Sequence, residues 1–127
     1  MSDYSLPLQK LIVDTLRAVG LSVFDRVPAG AVSPYVSIGP SDEVEDDAEC
    51  IEAVTVTQQL DVWSTEPGFV RAREMVATIR GALHRQDLAL AGAALVELEV
   101  QSVRYIRDPD GLTSHAAISL RATIERA

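Results

Sequence analysis

Only one cysteine, Cys50, occurs in the chain. No internal disulfide can form, and a lone cysteine fits a reducing compartment. Long apolar runs are also missing: none approaches the roughly 20 residues that a membrane-crossing helix needs. The first residues, MSDYSLPLQK, lack the basic start and apolar run of a secretion signal. Basic residues are scarce, 11 Lys and Arg against 19 Asp and Glu, for a net charge of −8. A general nucleic-acid clamp needs clustered cations to meet phosphate, so that class is disfavoured. A surface past which nucleic acid slides without sticking remains open. What is present is an ordinary globular composition, 47% hydrophobic and 24% charged over 127 residues. The expectation is a soluble intracellular domain spanning residues 1–127, long enough to bury a core.

The acidity has an address. Asp42, Glu43, Glu45, Asp46, Asp47, Glu49 and Glu52 stand close together with no Lys or Arg among them. Setting those seven aside leaves 12 acidic against 11 basic residues, close to neutrality. The chain is a balanced domain carrying one acidic segment, which reads as a loop. Unpaired carboxylates lose their hydration on burial, so this segment must face water, a pore or a basic partner.

Hydrophobic spacing predicts a helix over about Leu6 to Val19, with Leu8, Ile12, Leu16 and Val19 on one stripe. Ser5 is its expected N-cap, Pro7 suits the first turn, and Gly20 is the stop. Short strands are expected at Ser22–Arg26 and Tyr35–Gly39, the second ended by Pro40. From Ile51 to Trp63 the pattern alternates. Val54, Val56, Leu60 and Val62 share one face, with Gln58 the exception, and Thr55, Thr57, Gln59 and Asp61 share the other. Pro67 and Gly68 open a second helix running to about Arg85, with Phe69, Ala72, Val76, Ile79 and Leu83 as its stripe. Asp87–Ala94 reads equally as loop or short strand. Two long strands, Ala94–Arg107 and Ser114–Glu125, flank the turn Asp108-Pro-Asp-Gly111, where Pro presets φ and Gly accepts a positive one. The fold class is therefore α+β: an antiparallel β-sheet with two helices packed on one face, in the order α-β-β-β-α-β-β. Fourteen strand residues would span about 46 Å, whereas a globule of this size is roughly 36 Å across. The hairpins must bulge, curl or project.

No enzyme chemistry is legible. Cys50, His84 and His115 fall in separate elements, so no metal site converges, and His84 reads as a cap for a helix dipole. The acidic segment lacks the spacing of a calcium loop. Nucleophile elbows, phosphate loops and dinucleotide fingerprints are absent. Glu97 and Glu99 share a strand face and read as its solvent side. No catalytic, cofactor-binding or metal-binding residue is assigned. Trp63 is either an interface anchor or a rim residue of the core. Arg104, Arg107 and Arg121 form a basic stripe or else pair with Asp108, Asp110 or Glu125.

An ordered set of features resembles the tail completion (tail terminator, head–tail joining) family of long-tailed phages and gene transfer agents. A short helix precedes FDRVPAGAVSPYVSIGP, with Asp25, Arg26, Val27, Pro28, Pro34, Tyr35, Val36 and Gly39. QLDVWST follows, with Asp61, Val62, Trp63 and Ser64, and then the helix RAREMVATIRGALH. RYIRDPDGLTSHAAISLRA closes the set with Arg107, Asp108, Pro109, Asp110, Gly111 and His115. The resemblance implies a non-enzymatic virion protein made in the host cytoplasm. Such a protein forms a homo-oligomeric ring, a hexamer, that caps the tail tube and meets the head connector or stopper protein. DNA would pass its channel without specific binding, and no membrane is involved. Interface residues are expected at Trp63, Arg107, Asp108 and Asp110, and in the acidic segment at Asp42, Glu43, Glu45, Asp46 and Asp47. Two other readings stand beside it: a different neck component (a head-closure or adaptor protein), and a small-molecule-binding regulatory α+β domain with a pocket between helix and sheet.

Overall fold

The computed structural model describes residues 4–45, 47 and 51–126. Asp46, Glu49 and Cys50 lie outside them. The elements run α1 (Ser5–Ala18), β1 (Val23–Phe24), β2 (Tyr35–Glu45), β3 (Ala53–Ser64), α2 (Val70–Leu83), β4 (Ala93–Arg107) and β5 (Ser114–Arg126). One sheet holds the strands in the order β1-β2-β3-β5-β4. The α+β class and the element order are those the sequence predicts.

Helix α1 buries Leu8, Ile12 and Leu16. Val19, expected on that stripe, is 48% exposed, because the helix has already ended. The Gly20 N–H bonds the Arg17 carbonyl and the Leu21 N–H bonds the Leu16 carbonyl. This is a Schellman closure, and it needs the left-handed φ of 92° that Gly20 adopts. Ser5 is the first helical residue and not the cap, a position held by Tyr4. Helix α2 buries Ala72, Met75, Val76, Ile79 and Leu83. Phe69 precedes it as the N-cap residue and lies outside the buried stripe.

The core forms between both helices and the inner sheet face. Val54, Val56, Leu60 and Val62 of β3 and Ala116, Ile118, Leu120, Ala122 and Ile124 of β5 are all buried there. Gln58, on the same face, is also buried. Its amide donates to the carbonyls of Gly39 and Gln59 at 3.0 and 2.8 Å. A buried amide with partners costs little, which explains the polar exception.

Three expectations about the strands need correction. Strand β1 is two residues long and pairs β2 in parallel, Val23 with Val36, so the sheet is antiparallel except at this edge. Strand β2 does not stop at Pro40. It continues to Glu45, paired with β3 through Glu45↔Val54. Between Ile38↔Leu60 and Ser41↔Gln58, Gly39 and Pro40 stand opposite Gln59 alone. A bulge therefore absorbs the imino nitrogen that could not join the ladder. The acidic stretch is consequently half strand: Asp42, Glu43 and Glu45 belong to β2.

The long β4 carries two further bulges, with Val96 and Gln101 as the extra residues. They curl the 15-residue strand around the core, the outcome that strand length alone required. Val96 is exposed for this reason.

Candidate functional site

The two strand pairings at the sheet centre place the candidate residues at opposite ends. Ser64 pairs Ser114 at one end and Ala53 pairs Glu125 at the other. Eleven steps of about 3.3 Å separate them, about 36 Å. Trp63, Arg107, Asp108 and Asp110 gather at the first end. Asp42, Glu43, Glu45 and Asp47 gather at the second, around the β2–β3 connection.

At the second end, Asp42 to Glu45 lie on a strand edge that β1 does not reach, since β1 covers only Val36 and Ser37. All are exposed. Asp47 accepts the Ala53 N–H at 3.1 Å, and Glu52 pairs Arg126 at 3.0 Å. Among the described residues, Asp42, Glu43, Glu45 and Asp47 have no basic side chain in ion-pair range.

At the first end, Asp108 and Gly111 close the β4–β5 turn through the Gly111 N–H and the Asp108 carbonyl at 2.9 Å. Gly111 takes a φ of 71°, the freedom its place in the turn requires. The Asp110 carboxylate accepts the N–H groups of Leu112 at 2.8 Å and Thr113 at 2.9 Å, and the Thr113 hydroxyl at 3.0 Å. The donated Leu112 N–H, then that of Thr113, holds its carboxyl below the ordinary aspartate value. Asp110 thus builds the turn before it meets any partner.

A lowered folded value stabilises the fold above the unfolded pKa, near ~3.9. That contribution disappears as pH falls through the folded value. Asp110→Ala should therefore lower the thermal midpoint at neutral pH, and the gap to the unaltered chain should close on acidification below about pH 4. Thermal unfolding followed across pH would measure it. A gap that stays constant with pH would show that the carboxylate charge is not what holds the turn.

Trp63 and His115 are directly paired across β3 and β5, on the face away from the helices. Their rings stack at 4.0 Å and 9°. The Trp63 Nε1–H donates to the Ser37 hydroxyl at 3.0 Å. His115 Nε2 meets Asp61 Oδ1 at 2.6 Å, and the Gln59 amide donates to the same oxygen at 2.9 Å. Asp61 is 7% exposed. Trp63 is therefore not a rim residue of the core: it is half-buried within a polar plate on the open sheet face.

Arg107 is on the opposite face. Its partner Ser114 is buried, and the Ser114 hydroxyl donates to the Gly68 carbonyl at 2.7 Å. The Arg107 guanidinium carbon lies 5.0 Å from the Phe69 ring centre. Arg73 lies 4.0 Å from Tyr105 and 5.7 Å from Phe69, and these two rings meet edge-to-face at 6.0 Å. No basic stripe forms. Arg104 and Arg107 are three residues apart on a strand and face opposite ways, while Arg121 sits 3.9 Å from Glu99.

Sequence reasoning missed Phe69, Arg73 and Tyr105, and the Asp61–His115 contact. The spacing of Phe69 and Arg73, four apart around a helix start, was the one local signal. His84 is the C-cap residue of α2, and its Nδ1 accepts the Val100 N–H at 2.9 Å, tying the end of the helix to β4. Glu97 is exposed, as its strand face predicts, while Glu99 is half-buried between Arg85 and Arg121. Among the described residues no three potential metal ligands converge, and no helix is long and apolar enough to cross a membrane. A groove of about 400 Å³ runs beside β4, lined by Arg85, Gln86, Asp87, Leu95, Val96, Glu97 and Leu98. Most of these residues are exposed, and the groove does not lie between helix and sheet.

A family model described as tail completion protein gp17 matches residues 12–125. No sequence among the curated proteins matches the chain. Among solved structures, a chain of the virion of a native gene transfer agent particle superimposes with a TM-score of 0.88 at 26% identity. The likeness covers 98% of this chain and 99% of that one.

Proposed function

The chain belongs to the tail completion protein family, and on that premise we propose that it forms a ring, a hexamer, that ends the tail tube and joins it to the head connector. It is then a structural component of the virion, placed at the tail–head joint, with no catalytic activity. The observation that carries this reading is the end-to-end likeness to a chain of a gene transfer agent virion.

The sheet supports it. Among the described residues, strand β2 beyond Ser37 has one neighbour, β3, and β4 has one neighbour, β5. Such edges are surfaces that other chains can pair with. A contact between two different patches of one molecule closes into a ring when its rotation divides the circle. Carboxylates lining a channel repel phosphate, so DNA passes without being held. Tail tube subunits would meet one face of the ring and the head connector or stopper protein the other.

Removal of the protein from assembling particles tests this. Electron microscopy should show tails of uncontrolled length that are not joined to heads. Tails of uniform length already attached to heads would rule out the role.

A further inference from the structure

Arg73 and Arg107 stand out among the cations of the described residues. Lys10, Arg71, Arg85, Arg121 and Arg126 have a carboxylate within 4.0 Å, and of the described cations without one, Arg73 and Arg107 are the two that lie over aromatic rings. Arg73 and Arg107 are exposed and face only rings, Phe69 and Tyr105. An aromatic face fixes a guanidinium while leaving its N–H groups free for a carboxylate. Two such groups side by side form an ordered donor site for acidic side chains, with part of the entropic cost of binding already met.

The complementary charges are on the same chain. Asp42, Glu43 and Glu45 pair Thr57, Val56 and Val54 of β3, about 23–33 Å along the strand from its Ser64 end, and with Asp47 they lack cationic partners among the described residues. The two ends cannot meet within one copy.

We propose that the acidic edge of β2 in one copy, Asp42, Glu43 and Glu45, docks on the Phe69–Arg73–Tyr105–Arg107 platform of the next. The contact joins two different patches, so it propagates head to tail and closes as a ring. It rests on the ring reading above and names the surfaces that make it. Both partners of the contact travel on every copy, and this selects a second copy as the occupant. Bidentate arginine–carboxylate bonds would fix the rotation from one subunit to the next.

A charge swap tests it. One variant carries Arg73→Glu and Arg107→Glu; the other carries Asp42→Lys, Glu43→Lys and Glu45→Lys. Mass measurement of each alone should show monomers, with assembly weakened at least about 30-fold, as loss of a central charged anchor does. Mixed in equal amounts, each reversed surface meets its reversed counterpart. Rings of the unaltered mass should return with both chains in equal number. Thermal midpoints near that of the unaltered chain confirm folding, and if folding suffers Arg73→Glu or Arg107→Glu alone replaces the pair, which keeps the reversed charge that the mixture needs.

Either variant assembling alone like the unaltered chain would overturn the contact and leave the ring reading intact. A mixture of folded variants that stays monomeric would do the same. Unchanged mass with lost retention of duplex DNA in the arginine variant would overturn it in favour of phosphate binding. An unaltered chain that stays monomeric, alone and with tail tube subunits, would overturn the ring reading and this contact with it.

Discussion

Ile79→Asp is expected to leave the chain without a cooperative unfolding transition at room temperature. Ile79 is fully buried on α2, within the cluster that joins both helices to β3 and β5. Removing its side chain forfeits packing worth roughly 2–5 kcal/mol. The new carboxylate must then lose its hydration, or take up a proton and remain an unsatisfied polar group, at a further several kcal/mol. Domains of this size retain roughly 5–15 kcal/mol in total, so the sum exceeds or exhausts the reserve. Ile79→Val, which removes one methylene, should cost only about 0.5–1.5 kcal/mol and unfold cooperatively. Circular dichroism with urea titration distinguishes the two. An aspartate variant with the midpoint of the unaltered chain would mean that the helices do not pack on the sheet as described.

Such a core was largely legible in the sequence, because burial periodicity is a local signal. The spacing of Leu8, Ile12 and Leu16 and the alternation from Ala116 to Ile124 each name a face without reference to any other segment. What failed was whatever depends on a neighbour. Pro40 reads as a strand end because it lacks an N–H. It is tolerated because it falls at a bulge, on a stretch of β2 that β1 does not cover. The parallel pairing of β1 depends on how the residues between Phe24 and Tyr35 return the chain, which composition does not encode.

The placement of the candidate residues along the sheet was legible in part, but their geometry was not. Trp63, Arg107, Asp108 and Asp110 do share one end of the sheet. Yet Trp63 and Arg107 face opposite ways, and Asp110 is engaged by its own turn. Asp61 and His115 are 54 positions apart. Only the register of β3 against β5 brings them within 2.6 Å.

Gly39→Ala should destabilise the chain by about 1–3 kcal/mol, the cost of overfilling a packed site. The reason is space and not backbone conformation. A Cβ at Gly39 would lie 2.7 Å from Asp61 Oδ2 and 3.2 Å from Gln59 Cβ and Cγ. Asp61 has little room to yield, since its other oxygen is held by His115 and Gln59, and His115 is stacked on Trp63. Moving the carboxylate would disturb a plate that runs from Ser37 to His115. Asp61→Ala alone should also destabilise, by roughly 1–3 kcal/mol, because it strips the Gln59 amide and the imidazole of a shared acceptor. In the double variant the carboxylate is gone and part of the clash goes with it. The two costs should then fall short of additive by about 1 kcal/mol or more, while the Gln59 contact keeps the relief incomplete. Denaturant unfolding of the four chains gives the cycle. Strict additivity would mean that Gly39 and Asp61 are independent, and that the close approach of strand β2 to the carboxylate does not position the Trp63–His115 plate.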